Sequence, residues 1–223
     1  MIDRDRGLLA IAAIGISSVA LYSLINPEVG NHSVSTFTFP PQIPLADWEY
    51  QGKHNIEVDK FNSKDSQDVV QSAIRYRYKE NDTPLNIDIY YLTDTRGHLE
   101  SLLSKRLEID SESLQTQKIE QQANGYYSLF SDRDRTYLSS CLNPTGKSTV
   151  TQKQFSQNLN QRPLDLELLK NWLLGKASIR DRRCLWVTIS TPQNSGSFLQ
   201  SSDILEQVWQ TWYEWWQPRF PSL

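Results

Sequence analysis

What this chain of 223 residues lacks narrows its function first. It contains no Gly-rich phosphate loop, no G-x-S-x-G, no H-E-x-x-H and no C-x-x-C. Phosphate cradling, a nucleophile elbow, a zinc-protease helix and thioredoxin-like redox chemistry therefore have no basis in the sequence. The three histidines, His32, His54 and His98, have no spacing that suggests a metal site with the two cysteines, and no metal or cofactor is expected. Lys and Arg form no dense run and the formal charge is -3, so nothing in the chain gathers nucleic acid. Internal repeats and low-complexity tails are absent as well.

What is present is bulk. Seven Trp, ten Tyr and seven Phe supply the apolar surface that a disordered chain of this polarity would lack. The length suits one sizeable core.

Gly7 to Ile25 carries no charge over 19 residues. As a helix rising about 1.5 Å per residue it is roughly 28 Å long, close to the hydrocarbon thickness of a bilayer. Arg4 and Arg6 precede it and the next basic residue is Lys53, which places the N-terminus in the cytoplasm and everything after Ile25 outside it. The rival reading is a cleaved signal peptide, with Ser18-Val19-Ala20 at the cleavage site. The expected organisation is a cytoplasmic stub and membrane anchor over 1–25, an extended tether over 26–47 broken by Pro40, Pro41 and Pro44, and an exported domain over 48–223.

Within that domain, Ile74, Tyr76 and Tyr78 alternate with polar residues, and Leu85, Ile87, Ile89 and Tyr91 do so again beyond a turn at 80–84. This predicts a hairpin. Leu99, Leu102, Leu103 and Leu107 recur at helical spacing and predict a helix over that hairpin. The stretch 110–124 reads as exposed chain. Runs at 126–130 and 136–142 form a second pair of strands around the turn Ser131-Asp132-Arg133-Asp134. A polar stretch with Phe155 and Leu159 follows, then a helix after Pro163 and a strand from Cys184 to Ser190. A last helix starts near Ser202-Asp203 and ends at Pro218. The expected fold class is α+β, an antiparallel sheet packed with helices and preceded by one transmembrane helix.

An exported domain meets an oxidising space, where Cys141 and Cys184 are either two buried thiols or a disulfide. Both lie opposite the aliphatic side of their strands, so parity permits them to meet if those strands are neighbours, and a closed loop of about 44 residues would stabilise by up to about 4 kcal/mol. A Cys141 nucleophile with a histidine base is the catalytic reading, but Cys184 as a fitting partner weighs against it, and no catalytic residue is assigned. Two charge clusters open the cysteine-bearing strands: Arg133 and Arg135 with Asp132 and Asp134, and Arg180, Arg182 and Arg183 with Asp181. They are either solvated strand-end pairs or one convergent contact for an anion or a partner. The tryptophans at 209, 212, 215 and 216 have the helical spacing of core residues, with Trp215 or Trp216 the more exposed.

Four segments in this order carry a resemblance: R-T-Y-L-S-S-C-L-N-P-T-G-K-S-T-V-T (Arg135 to Thr151), L-L-K-N-W-L-L-G (Leu168 to Gly175), R-D-R-R-C-L-W (Arg180 to Trp186) and W-Q-T-W-Y-E-W-W-Q-P-R-F-P (Trp209 to Pro221). Together with the N-terminal run they resemble the cyanoexosortase A system-associated proteins over essentially the whole chain. The resemblance implies a single-pass protein of a cyanobacterial inner membrane, its main domain periplasmic. Its partner would be a membrane-embedded exosortase, a transpeptidase that recognises C-terminal sorting tails on exported proteins. The family lends no catalytic residues. The alternative is an exported enzyme or binding module that acts on extracellular polysaccharide, which asks for paired carboxylates or an exposed aromatic strip.

Overall fold

The computed structural model describes residues 37–58, 68–161, 166–173, 180–193 and 198–221, with Gly7, Gly15, Ser17 and Ser18. The chain divides into two compact units, Met1–Val34 with Pro163–Asp181 and Ser35–Arg162 with Arg182–Leu223. The expected membrane span over 7–25 and the tether over 26–36 lie outside the described residues apart from those four, which are helical. None of the described helices is long and apolar enough to cross a membrane.

The larger unit is α+β, an eight-stranded sheet packed with helices. In chain order it contains β1 (Glu49–Asn55), β2 (Val69–Glu80), β3 (Thr83–Asp94), helices α1 (Leu99–Arg106) and α2 (Ser111–Gln115), β4 (Lys118–Gln122), β5 (Gly125–Asp132), β6 (Arg135–Leu142), β7 (Ser148–Thr149), α3 (Gln152–Asn160), β8 (Cys184–Pro192) and α5 (Phe198–Trp216). Helix α4 (Leu166–Leu173) belongs to the other unit. The strands run in the order β1-β2-β3-β8-β6-β7-β5-β4, with β5 also paired to β6. Every pairing is antiparallel except the single bridge between Gly125 of β5 and Ser148 of β7, so the sheet is mixed where a fully antiparallel one was expected. That bridge needs a glycine: Gly125 sits at φ +129°, and a Cβ there would lie 2.4 Å from the Ser148 carbonyl oxygen.

The β2–β3 hairpin turns on Asn81 and Asp82, both at positive φ, the two-residue turn whose twist suits paired strands. It sets Glu80 opposite Thr83 and thereby Tyr76 opposite Ile87. One face of the sheet buries Ile74, Tyr76, Leu85, Ile87, Leu138, Leu185, Val187 and Ile189 against Leu205, Trp209, Trp212 and Trp216 of α5. Each tryptophan wholly removed from water there contributes on the order of 2–3 kcal/mol. On the opposite face, Leu99, Leu102 and Leu103 of α1 cluster with Val70, Ala73, Tyr90, Leu92, Trp186 and Phe155 of α3.

Four stretches depart from expectation. Residues 37–47, expected as tether, are in part core: Phe39, Ile43 and Leu45 are buried. Tyr76 donates to the Pro40 carbonyl at 2.7 Å, and Tyr78 holds Ile43. The stretch 110–124 forms α2 and the edge strand β4, and the polar stretch with Phe155 is α3. Helix α3 begins with a capping box in which Thr151 Oγ1 accepts from the Gln154 N–H while Gln154 Oε1 accepts from the Thr151 N–H, worth on the order of 1 kcal/mol. The C-terminal helix starts at Phe198, four residues before the expected cap, and Ser202 spends its hydroxyl on the Phe198 carbonyl.

Candidate functional site

Three of the segments that carry the resemblance meet at one corner of the larger unit. The strand β6 delivers Cys141 and the turn Asn143–Gly146, β8 begins with Arg183 and Cys184, and the C-terminal helix ends beside both. The turn is closed by the Gly146 N–H on the Asn143 carbonyl and by the Asn143 N–H on the Lys147 carbonyl, each 2.9 Å. Asn143 is itself buried, with its amide reaching Thr149 Oγ1 at 3.3 Å. The Tyr213 hydroxyl donates to the Gly146 carbonyl, so α5 reads the turn directly. Gly146 has φ +80°, and a Cβ on it would stand 3.1 Å from Nε2 of Gln217.

Cys141 and Cys184 form a disulfide. Their strands are neighbours, but Cys141 is paired in register with Trp186, and Leu142 with Leu185. The bridge therefore runs diagonally, two residues off register, with Cα atoms 5.7 Å apart. Both cysteines are at most 2% exposed, which shields the bond from solvent reductants. Trp186 packs beside it, stacked on Tyr90 at 4.5 Å between ring centroids and donating from Nε1 to Ser139 Oγ at 2.9 Å.

Of the five arginines named from the sequence, the four in the larger unit do not converge: Arg133 and Arg135 lie away from Arg182 and Arg183. Because β6 and β8 are antiparallel, Arg135 faces Pro192 at one end while the start of β8 lies at the other. By strand rise, Arg135 and Arg183 are roughly 30 Å apart along the sheet. Arg133 occupies the β5–β6 turn at φ 55° and sits 3.7 Å from Asp132, largely in solvent. Arg135 donates to the carbonyl and hydroxyl of Ser190 at 3.3 and 3.1 Å. Arg182 is 3.6 Å from Asp94, both half exposed. Arg183 is buried; its Nη1 donates to the Pro221 carbonyl at 2.5 Å and to the Tyr91 hydroxyl at 3.3 Å, and its guanidinium lies over the Phe220 ring. It ties Phe220 and Pro221 to the sheet. Arg180 is exposed and belongs to the smaller unit.

A polar row missed from the sequence crosses the sheet beside Trp186. Arg75, Asp88, Thr188, Ser139 and Ser128 stand opposite one another on five successive strands. Arg75 binds Asp88 bidentately, Nε to Oδ1 and Nη2 to Oδ2, both 2.5 Å. The hydrogen bond to Asp88 raises the Arg75 pKa above its ordinary value in spite of burial. Ser139 Oγ also donates to the Val187 carbonyl and lies 3.1 Å from Thr188 Oγ1. Burial raises the nearby Tyr137 phenol. The turn at Asn81-Asp82 would have revealed the ion pair, because counting back from Glu80 and Thr83 sets Arg75 against Asp88. Chemically this row is a neutralised scaffold: its acid is spent on its base. Among the described residues no group of three or more His, Cys, Asp and Glu could hold a metal ion, and His54 and His98 are exposed. His32 lies outside the described residues.

The chain matches no protein-family model, no curated protein and no solved structure.

Proposed function

We propose that this chain is a non-catalytic accessory protein of an exosortase protein-sorting system, held in the inner membrane by residues 7–25 with its main domain in the periplasm. The observation that carries the reading is the buried Cys141–Cys184 disulfide, a bond at home in an oxidising compartment. It supports export, and a bilayer-length uncharged run at 7–25 is the simplest means of staying at the membrane afterwards.

The exosortase itself enters through the four ordered segments. Their spatial arrangement supports treating them as one feature: three are tied together by the disulfide, the Tyr213–Gly146 bond and the Arg183–Pro221 bond. In this reading the corner they form presents a fixed surface, and the anchor raises its local concentration around a membrane partner without tight binding. The polysaccharide alternative loses support from the C-terminal tryptophans, since Trp209, Trp212 and Trp216 are core and Trp215 lies under the Arg219 guanidinium.

Crosslinking in intact membranes, followed by identification of the captured protein, tests the role. An exosortase or a sorting-tail substrate is the expected capture, and deletion of the gene is expected to leave sorting tails unprocessed. Unchanged processing and localisation of those substrates in the deletion strain would refute it.

A further inference from the structure

Helix α4 turns apolar side chains to solvent: Leu166 is 85% exposed, Trp172 45% and Leu169 38%. At about 100° per residue these three positions lie within an arc of roughly 120°, one stripe of the helix. Lys170, also exposed, falls outside the arc. An isolated helix of this length is marginal in water, and leaving such side chains wet forgoes about 1.5–3 kcal/mol for each that could be buried. A stripe of this kind marks a docking face.

We infer that the stripe is seated on the lipid bilayer, with α4 lying in the plane of the headgroup–acyl boundary. The inference rests on the reading of residues 7–25 as a membrane span. Helix α4 shares its compact unit with Met1–Val34, the part of the chain that holds the uncharged run. An element folded into one unit with a membrane span is delivered to the bilayer surface. Three side chains alone would bind lipid weakly, but as the second of two attachments the stripe acts at high effective concentration. Trp172 suits the depth, because an indole prefers the interface, and Lys170 can keep its ammonium among the headgroups while its stem lies along the apolar boundary. A second copy of the chain fits less well. A stable protein interface buries at least about 1,200 Å² in total, far more than three side chains on an eight-residue helix offer.

The test uses the full chain in vesicles of phosphatidylcholine and phosphatidylglycerol, with a nitroxide attached at one introduced cysteine; the native cysteines are bonded and do not react. Labels at Leu169→Cys, Lys170→Cys and Gly15→Cys are compared for collision with oxygen, which concentrates in lipid, and with a water-soluble nickel chelate. Expected is an oxygen-dominated signal at 15, an oxygen-favoured signal at 169 and a chelate-favoured signal at 170. A label at 15 in lipid with a chelate-favoured label at 169 would overturn the inference and leave the anchor standing. A label at 169 shielded from both reagents would also overturn it, in favour of a protein partner or second copy. A chelate-dominated label at 15 would overturn the anchor and this inference with it.

Discussion

One hydroxyl satisfies both backbone groups of a buried residue: Tyr78 Oη donates to the Ile43 carbonyl at 2.7 Å and accepts from the Ile43 N–H at 3.3 Å. Ile43 is wholly buried and belongs to no strand, so its N–H and C=O have no ladder to join. The phenol stands in for a partner strand, and the segment 37–48 is thereby stitched to the sheet.

Tyr78→Phe keeps the ring and removes the stitch. Two buried backbone groups lose their partner, at a cost of about 1–3 kcal/mol. Denaturant unfolding should show this loss with an unchanged slope, and limited proteolysis should cut the variant faster within 37–48 than elsewhere. A variant as stable and as resistant as the parent would show that the stitch is not needed.

Alkali should act on the same region. Burial pushes the Tyr78 phenol up to about 12, chiefly by desolvation, and Tyr127 likewise to about 12. An unfolded tyrosine ionises near 10, so between about pH 10 and 12 the unfolded chain sheds protons that the folded chain keeps. The tyrosine contribution is complete below pH 10 and falls as pH rises to 12. The melting temperature is expected to drop over that window more steeply for the parent than for Tyr78→Phe, which has no proton to lose there.

The disulfide closes a loop between positions 43 apart in sequence, and constraining the unfolded chain to that extent is worth up to about 4 kcal/mol. The paired variant Cys141→Ser with Cys184→Ser should lose about 2–4 kcal/mol in unfolding experiments. Because the bond is buried, dithiothreitol without denaturant is expected to reduce it only at the rate of opening of the fold. Rapid reduction of the folded protein, followed by alkylation of both thiols, would show that the corner opens freely.

Elements whose two faces differ in polarity were legible. Ile74-Tyr76-Tyr78 and Leu185-Val187-Ile189 alternate because β2 and β8 bury those side chains under α5. Edge strands have no such contrast: β1 reads EYQGKHN and β4 reads KIEQQ, both mostly exposed, and neither stands out from loop. Helix α3 buries Phe155, too little for a periodic signal, although Thr151 with Gln154 is a capping pattern that marks its start. For the cysteines, parity was readable and the register was not. Register comes from the pairing of β6 with β8, which no short turn links, and it makes the bridge diagonal. Strand direction was equally hidden; β6 and β8 run antiparallel, which puts Arg135 and Arg183 at opposite ends of the sheet.

The Arg75–Asp88 pair gives the sharpest energetic test, since its two members are unequally buried. The side chain of Asp88 is 7% exposed and that of Arg75 37%. Removing Arg75 leaves a carboxylate inside the fold with its two best donors gone, whereas removing the charge of Asp88 leaves a guanidinium that can turn towards water. Arg75→Ala is therefore expected to cost about 2–4 kcal/mol and Asp88→Asn distinctly less. Arg75→Lys should recover only part of the loss, because an ammonium cannot reproduce the two-pronged contact. In the double variant Arg75→Ala with Asp88→Asn no buried anion remains, so its loss should fall below the sum of the single losses. Additive losses in such a cycle, measured by denaturant unfolding, would show that the two side chains do not depend on each other.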